Sequence, residues 1–184
     1  RYMMGLYRLM KTLTERFPDI LFEGCSAGGN RFDLGILSFF PQIWASDDTD
    51  AVERLYIQYG TSLAYPISAM GAHVSAVPNH QANRVTSLKM RGDVAMSGNF
   101  GYELDLMKFT DDEKEEVRQQ IEQYKELRTF IQHGDMYRLK SPFGPNGEKV
   151  ANDTAWMFIS EDGNDIFAAY FRILCKVNGG IYRM

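Results

Sequence analysis

The sequence predicts an α/β fold in which four short strands alternate with helices, followed by a separate antiparallel β segment. Short apolar runs that end in glycine or polar residues recur at intervals of roughly 25 residues, close to the roughly 30 residues per unit of a (β/α)8 barrel of about 250 residues. Helical patterns lie between these runs, and alternating strands and helices are typical of parallel sheets. After residue 134 the pattern changes to runs rich in aromatic and β-branched residues. These observations predict half of a barrel, or a four-unit open sheet, plus the start of an all-β domain.

The composition argues against several classes of protein. The chain has 184 residues, of which 45% are hydrophobic and 24% are charged, so it is too apolar for a disordered chain and can form a packed core. No apolar run approaches the roughly 18 residues of a membrane-spanning helix, and the net charge of −4 argues against a nucleic-acid-binding surface. No signal peptide is visible, so we expect a cytoplasmic protein without membrane or nucleic-acid partners. The two cysteines, Cys25 and Cys175, are too few and too far apart for a disulfide framework.

The first unit is predicted to contain a helix and then a strand. Apolar residues recur at spacings of three and four before Pro18, which is typical of one helix face. These residues are Met3, Leu6, Met10 and Leu13. The apolar run at residues 20–22 leads into Glu23, Gly24 and Cys25, and a run this short followed by glycine favours a strand.

The second and third units repeat this alternation. A strand candidate at residues 42–46 precedes a helix in which Asp50 and Glu53 have the spacing of an N-cap with a reciprocal hydrogen bond. The apolar stripe of this helix consists of Val52, Leu55, Tyr56, Tyr59 and Leu63. The third unit is predicted as a strand at residues 70–75 and a short helix near residues 86–91.

The fourth unit is predicted as a strand at residues 94–98 and a long helix. Thr110 and Glu113 match a capping box at the start of that helix, and Gly134 ends it. Its apolar stripe is formed by Val117, Ile121, Tyr124, Leu127 and Ile131.

The last part of the chain has the pattern of a β-hairpin. Two β-rich runs at residues 156–160 and 166–173 flank Asp162 and Gly163, and an Asp-Gly turn between such runs is a strong hairpin signal. We therefore divide the chain into an α/β part, residues 1–133, and the start of an antiparallel β domain, residues 134–184. The α/β part lacks the glycine fingerprint with which a phosphate-binding open sheet begins.

Polar side chains near the ends of the predicted strands are the candidate functional residues, because chemistry in parallel α/β folds lies at the carboxyl ends of the strands. They are Glu23, Cys25, Asp47, Asp48, His73, Ser75 and Asn99. Strand alternation also places Glu23 on the same side as Leu21 and Cys25, which predicts a buried carboxylate.

Three carboxylates fall within residues 47–50, and alternation selects one of them. Asp47 shares a side with Ile43 and Ala45, and a barrel interior favours branched and small residues. We therefore interpret Asp47 as the functional acid. Asp48 and Asp50 are then interpreted as caps of the following helix.

Residues 24–28 also match the G-x-S-x-G motif of serine hydrolases, with Ser26 as the nucleophile. An aspartate after the second strand and then His73 or His80 would complete the order of residues that motif requires. The aspartate follows Ser26 by only about one unit of the fold, and no upstream segment offers an oxyanion loop, so this alternative is the weaker one. Neither histidine has a nearby third ligand, and we expect no metal site.

Six strings of residues are specific enough to indicate a family. They are FPDILFEGC at residues 17–25, GGNRFD at 28–33, PQIWASDDTDA at 41–51, YPISAMGAHVS at 65–75, PNHQ at 78–81 and GNFGYELDL at 98–106. They resemble the alpha-galactosidases of glycoside hydrolase family 36 nearly continuously over about residues 1–106, with weaker similarity to the end of the chain.

The resemblance implies a (β/α)8 TIM barrel between two β-sandwiches, so that this chain is the C-terminal half of the barrel followed by the first strands of the C-terminal sandwich. It also implies that Asp47, the first Asp of the Ser-Asp-Asp string, is the acid that protonates the leaving oxygen. Cys25 and Gly28 correspond to residues of the galactose pocket. The commoner sequence of their turn is Cys-Ala-Ser-Gly-Gly-Gly, whereas this chain has CSAGGN at residues 25–30.

The activity that the resemblance implies is retaining hydrolysis of terminal alpha-galactosides such as melibiose and raffinose, without a metal or an organic cofactor. The family's nucleophile is an Asp in a Lys-x-Asp string that lies upstream of Arg1. Because the chain also begins without an initiator Met, we expect a piece of a longer, homo-oligomeric enzyme and no activity from the 184 residues alone. A galactosyltransferase of the raffinose synthase type would share these motifs and stays an alternative, as does, more remotely, the serine hydrolase.

Overall fold

The computed structural model describes residues 1–174. The chain forms two compact units, residues 1–126 and residues 127–184, which are described separately. Cys175 and the last residues of the predicted β domain lie outside the described residues. Within residues 1–174, no helix has the length and apolar character needed to cross a bilayer.

The first unit alternates helices and strands. In chain order its elements are α1 (Tyr2–Arg16), β1 (Glu23–Gly24), α2 (Ser26–Gly29), α3 (Leu34–Leu37), β2 (Gln42–Ile43), α4 (Ala51–Ser62), β3 (Gly71–Ser75), α5 (Leu88–Ala95), β4 (Asn99–Glu103) and α6 (Asp111–His133), and the boundary between the two units falls within α6. The unit also contains two 3-10 turns, Ile67–Ala69 and Leu106–Lys108.

The strands of the first unit are parallel. Residues 23–24 of β1 pair with residues 42–43 of β2, and residues 71–75 of β3 pair with residues 99–103 of β4. A parallel bridge between Ile43 and Met70 links the two pairs. The expected α/β arrangement is confirmed, and the carboxyl ends of neighbouring strands lie at a common edge.

The helices cover one face of these strands. Ala72 and Val74 of β3 pack in a buried cluster with Leu88 and Ala95 of α5 and Val117 of α6. Because side chains alternate along a strand, the intervening residues of β3 lie on the opposite face. That second face carries the polar residues near the candidate site.

The predicted fourth strand at residues 94–98 is wrong. Val94 and Ala95 are buried near the end of α5, and the strand follows at β4. Ser87 caps α5 by accepting a hydrogen bond from Met90 N at 3.1 Å. A short apolar run does not distinguish a strand from the buried face of a helix, and tertiary packing decides between them here. The first strand also begins later than predicted. It is formed by Glu23–Gly24, and Leu21 of the predicted apolar run is exposed.

The second unit contains an antiparallel three-stranded sheet. Its strands are β5 (Asp135–Lys140), β6 (Asp153–Ile159) and β7 (Ile166–Arg172), in the order β5-β6-β7. The predicted hairpin is confirmed, since Ile159 pairs with Ile166 across a turn that contains Gly163 at a φ of 73°. Trp156, Phe158 and Phe171 form its buried core.

The capping box that begins α6 is also confirmed. Glu113 N donates to Thr110 Oγ1 at 3.2 Å, and Thr110 N donates to Glu113 Oε2 at 2.9 Å. Both hydrogen bonds satisfy backbone donors that the first turn of a helix leaves unpaired.

Candidate active site

Asp47 lies beyond the carboxyl end of β2, on a segment that has no regular secondary structure. This segment, residues 44–50, is called the acid segment below. The Asp47 side chain is exposed, whereas Thr49 and Asp50 at the end of the segment are buried. The carboxylate of Asp47 is therefore accessible to a ligand, while the end of the segment that carries it is buried.

The turn after β1 is left-handed. The four residues of α2 all have positive φ, with values of 62°, 53°, 72° and 87° from Ser26 to Gly29. Gly29 N donates to Cys25 O at 2.9 Å, and Asn30 N donates to Ser26 O at 3.3 Å. Left-handed backbone is strained for residues with a Cβ and natural for glycine, which explains the glycine pair at the end of this turn.

The backbone of this turn packs directly against the acid segment. A methyl group placed on Gly28 would lie 2.8 Å from Asp47 N and 3.4 Å from Asp47 Cγ. On Gly29 it would lie 2.9 Å from Ala45 O. The structure thus brings Gly28 against Asp47, and Cys25 begins the same turn as an exposed free thiol.

Ile43 and Trp44 do not face the sides from which strand alternation selected Asp47, so that premise is wrong. Ile43 packs with Met10 and Ile36 on the side of the helices, and the Trp44 ring stacks on His73 with ring centres 4.6 Å apart. β2 is only two residues long, so strand alternation does not extend to Asp47. Asp47 lies against the turn after β1 instead.

A buried arginine supports the acid segment, and the sequence analysis missed it. Arg54 of α4 is 1% exposed, and it donates from Nη1 to Ser46 O at 3.2 Å and from Nη2 to Gly71 O at 2.6 Å. Its guanidinium also lies 4.6 Å from the centre of the Trp44 ring. Burial lowers the pKa of Arg54 to about 10, against the opposing effect of the Asp48 and Glu103 carboxylates, so it stays charged at neutral pH. Its sequence signal was weak, because Gln58 and Ser62 on the same helix face are also polar and buried.

The other two carboxylates of the acid segment bind backbone. Asp50 Oδ1 accepts hydrogen bonds from Val52 N and Glu53 N, both at 3.0 Å, which confirms Asp50 as the N-cap of α4. Asp50 also pairs with Arg84. The reciprocal bond expected from Glu53 is made by Asp48 instead, whose Oδ1 accepts from Asp50 N at 3.1 Å.

Replacement of Asp50 separates its two roles. Asparagine retains an N-cap oxygen and loses only the charge that pairs with Arg84, whereas alanine loses both. We expect Asp50→Ala in the full-length protein to unfold at lower urea than Asp50→Asn, with a difference in unfolding free energy of about 0.5–2 kcal/mol. Equal stability of the two variants would contradict a capping role.

The remaining candidate residues differ in burial and in their position on the strands. Glu23 is exposed and accepts a hydrogen bond from Gln42, so the prediction of a buried carboxylate is wrong. His73 Nδ1 lies 3.5 Å from Glu103 Oε2, and Ser75 is buried and donates to the backbone of the acid segment. Asn99 lies at the amino end of β4, not at a carboxyl end, because that strand begins later than predicted.

The geometry does not support a serine hydrolase. Ser26 Oγ accepts a hydrogen bond from Arg31 Nη1 at 2.6 Å, and a guanidinium cannot act as the general base that a serine nucleophile needs. The His73 ring is stacked on Trp44. Among residues 1–174, no group of three or more metal-binding side chains is placed to hold an ion.

Comparison with known proteins gives one consistent family. A family model described as Melibiase matches residues 1–134. The chain is 61% identical over 178 residues to alpha-galactosidase AgaA of Geobacillus stearothermophilus, covering 97% of this chain and 24% of the relative. It is 53% identical over 173 residues to alpha-galactosidase 1 of Pediococcus pentosaceus, covering 94% of this chain and 23% of the relative.

Solved structures agree with these relatives. A variant of the GH36 alpha-galactosidase AgaA from Geobacillus stearothermophilus in complex with raffinose has a TM-score of 0.92 and 59% identity, over 97% of this chain and 24% of that one. The alpha-galactosidase from Lactobacillus brevis has a TM-score of 0.94 and 48% identity, over 100% of this chain and 24% of that one. The chain therefore spans about a quarter of the length of the relatives it matches.

Proposed function

The chain belongs to the melibiase family, with GH36 alpha-galactosidases as its relatives, and from this premise we propose that it carries the acid/base half of an active site for retaining hydrolysis of terminal alpha-galactosides. One observation carries the proposal. An exposed carboxylate, Asp47, stands against the backbone of the left-handed turn at residues 25–29, beside the carboxyl ends of parallel strands.

For the architecture we propose that residues 1–133 are the C-terminal half of a (β/α)8 TIM barrel and that residues 134–184 begin a β-sandwich. Four parallel strands that follow one another in chain order, with helices on one face, support the first part. The three-stranded antiparallel sheet β5-β6-β7 supports the second part. The rest of the barrel, including the nucleophile, then belongs to the full-length protein.

In the proposed mechanism, a second carboxylate from the full-length protein attacks the anomeric carbon of the galactoside. The bond between that carbon and the leaving oxygen breaks, and Asp47 donates its proton to this oxygen. Water then attacks the galactosyl-enzyme while Asp47 takes its proton, so that galactose leaves with retained configuration. For this course the two carboxyl groups lie about 5–5.5 Å apart in the complete site.

The turn after β1 would bind the sugar next to Asp47. We propose that Cys25, with its exposed thiol, and Gly28, whose backbone touches Asp47, contact galactose. The one hydroxyl group in this turn is that of Ser26. Its oxygen already accepts a hydrogen bond from Arg31. A side chain at Gly28 would collide with the backbone of Asp47.

The substrates of the relatives define the proposed substrate class. AgaA variants have been crystallised with raffinose and with stachyose, and we propose alpha-galactoside oligosaccharides of this type as substrates of the full-length protein. A cytoplasmic location and homo-oligomerisation stay predictions.

The product formed from raffinose tests the reaction class. The full-length protein is expected to release galactose whose first-formed anomer, followed by proton NMR, is alpha, as two displacements require. Beta-galactose as the first product would reject the retaining mechanism. With galactinol as the donor and sucrose as the acceptor, formation of raffinose in place of free galactose would identify a galactosyltransferase.

A further inference from the structure

The loop between β3 and α5, residues 76–87, is bound to the acid segment at several points. Most of this loop is exposed, but Asn79 within it is only 3% exposed. A polar side chain that is this buried needs hydrogen-bond partners, and those partners show what the loop is built to hold.

Asn79 joins the loop to the acid segment. Its Nδ2 donates to Thr49 Oγ1 at 3.0 Å, while its Oδ1 accepts from Gln81 N and Ala82 N, both at 2.9 Å. The backbone of Asn79 also donates to Arg84 O at 2.9 Å. One side of the amide thus orders the loop, and the other side reaches out of it to Thr49.

Thr49 receives a second hydrogen bond from the sheet. Ser75 Oγ, at the carboxyl end of β3, donates to Thr49 O at 2.9 Å. The next residue, Asp50, is paired with Arg84 of the same loop. β3 and its loop therefore fix the buried end of the acid segment, two residues beyond the exposed carboxylate of Asp47.

We propose that Thr49 and Asn79 are positioning residues for the acid/base Asp47, an inference that rests on the function proposed above. Residues 45–49 of the acid segment lie in no strand or helix. The turn after β1 holds one side of Asp47, Arg54 binds Ser46 O beside it, and the Thr49–Asn79 bond holds the chain on the other side. General acid catalysis requires the proton donor within about 2.6–3.2 Å of the leaving oxygen. A displacement of about 1 Å costs on the order of 10²-fold in rate.

The dependence of kcat/KM on the leaving group distinguishes a positioning role from a purely structural one. Departure of a sugar from raffinose needs protonation by Asp47, whereas departure of nitrophenolate from 4-nitrophenyl alpha-galactoside needs little help. In the full-length protein, Thr49→Val is expected to lower kcat/KM for raffinose at least about tenfold and to change kcat/KM for the nitrophenyl substrate much less. Thr49→Ser, which keeps the hydroxyl, is the matched control and should retain most of the activity on both substrates.

The ratio of the two kcat/KM values within one preparation does not depend on the folded fraction, so partial misfolding does not obscure the result. If Thr49→Val yields no folded protein, Ser75→Ala removes the other hydrogen bond to Thr49 and is expected to change the ratio in the same direction. An unchanged ratio in these variants overturns the inference, provided that Asp47→Ala does change it. If Asp47→Ala also leaves the ratio unchanged, the acid/base function proposed for Asp47 is itself rejected.

Discussion

Asp47→Ala is expected to lower kcat/KM of the full-length protein for raffinose by about 10²–10⁴-fold, the usual contribution of a general acid. The variant removes the one group proposed to protonate the departing oxygen. The loss should be much smaller for 4-nitrophenyl alpha-galactoside, because its leaving group departs without a proton. Steady-state kinetics on the two substrates measures both effects, and raffinose hydrolysis at the wild-type rate would reject the assignment.

Azide distinguishes an acid/base from a nucleophile. In Asp47→Ala the galactosyl-enzyme should still form from the nitrophenyl substrate, and azide, which needs no base, should attack it and restore turnover. The product is expected to be alpha-galactosyl azide, because two displacements at the anomeric carbon retain its configuration. A beta-configured azide would identify Asp47 as the nucleophile instead. Glu161→Gln, which neutralises an exposed carboxylate in the hairpin loop, is the control and should behave as the wild type.

Local sequence patterns predicted the features that depend on neighbouring residues. The Asp50 cap, the Thr110–Glu113 box and the hairpin around Gly163 are each decided within a few residues of chain, and each is confirmed. Residues 94–98 were predicted as a strand because a short apolar run does not say whether a sheet or a helix buries it. Packing of Val94 inside α5 decides the matter, and no local pattern contains that information.

The surroundings of Asp47 depend on contacts between distant parts of the chain. Gly28 touches Asp47 from 19 residues away, Arg54 binds Gly71 from the next helix, and Asn79 binds Thr49 from a later loop. Alternation along β2 selected Asp47 on a premise that the structure contradicts, since Ile43 faces the helices. The family resemblance named Asp47, Cys25 and Gly28, but the support beneath them is visible only in three dimensions.

Gly28→Ala is the second variant with a large expected effect. At a φ of 72° an alanine is strained by roughly 1–2 kcal/mol, and its methyl group would lie 2.8 Å from Asp47 N. Since Gly28 and the acid segment meet through backbone atoms, one of them must move. We expect kcat/KM for raffinose in the full-length protein to fall by about 10²-fold or more, as a shift of about 1 Å at a catalytic group implies.

Gly163→Ala separates backbone strain from this steric effect. Gly163 has nearly the same φ, 73°, and a methyl group placed on it would meet no atom within 4 Å. Gly163→Ala should therefore lose stability, measured by urea denaturation, through left-handed strain alone, and Gly28→Ala should lose at least as much because its methyl group also meets backbone. Only Gly28→Ala should lose activity under conditions where both variants are folded. Wild-type kcat/KM in folded Gly28→Ala would show that the turn at residues 25–29 does not determine where Asp47 stands. Equal losses of activity in the two variants would attribute the effect to strain alone.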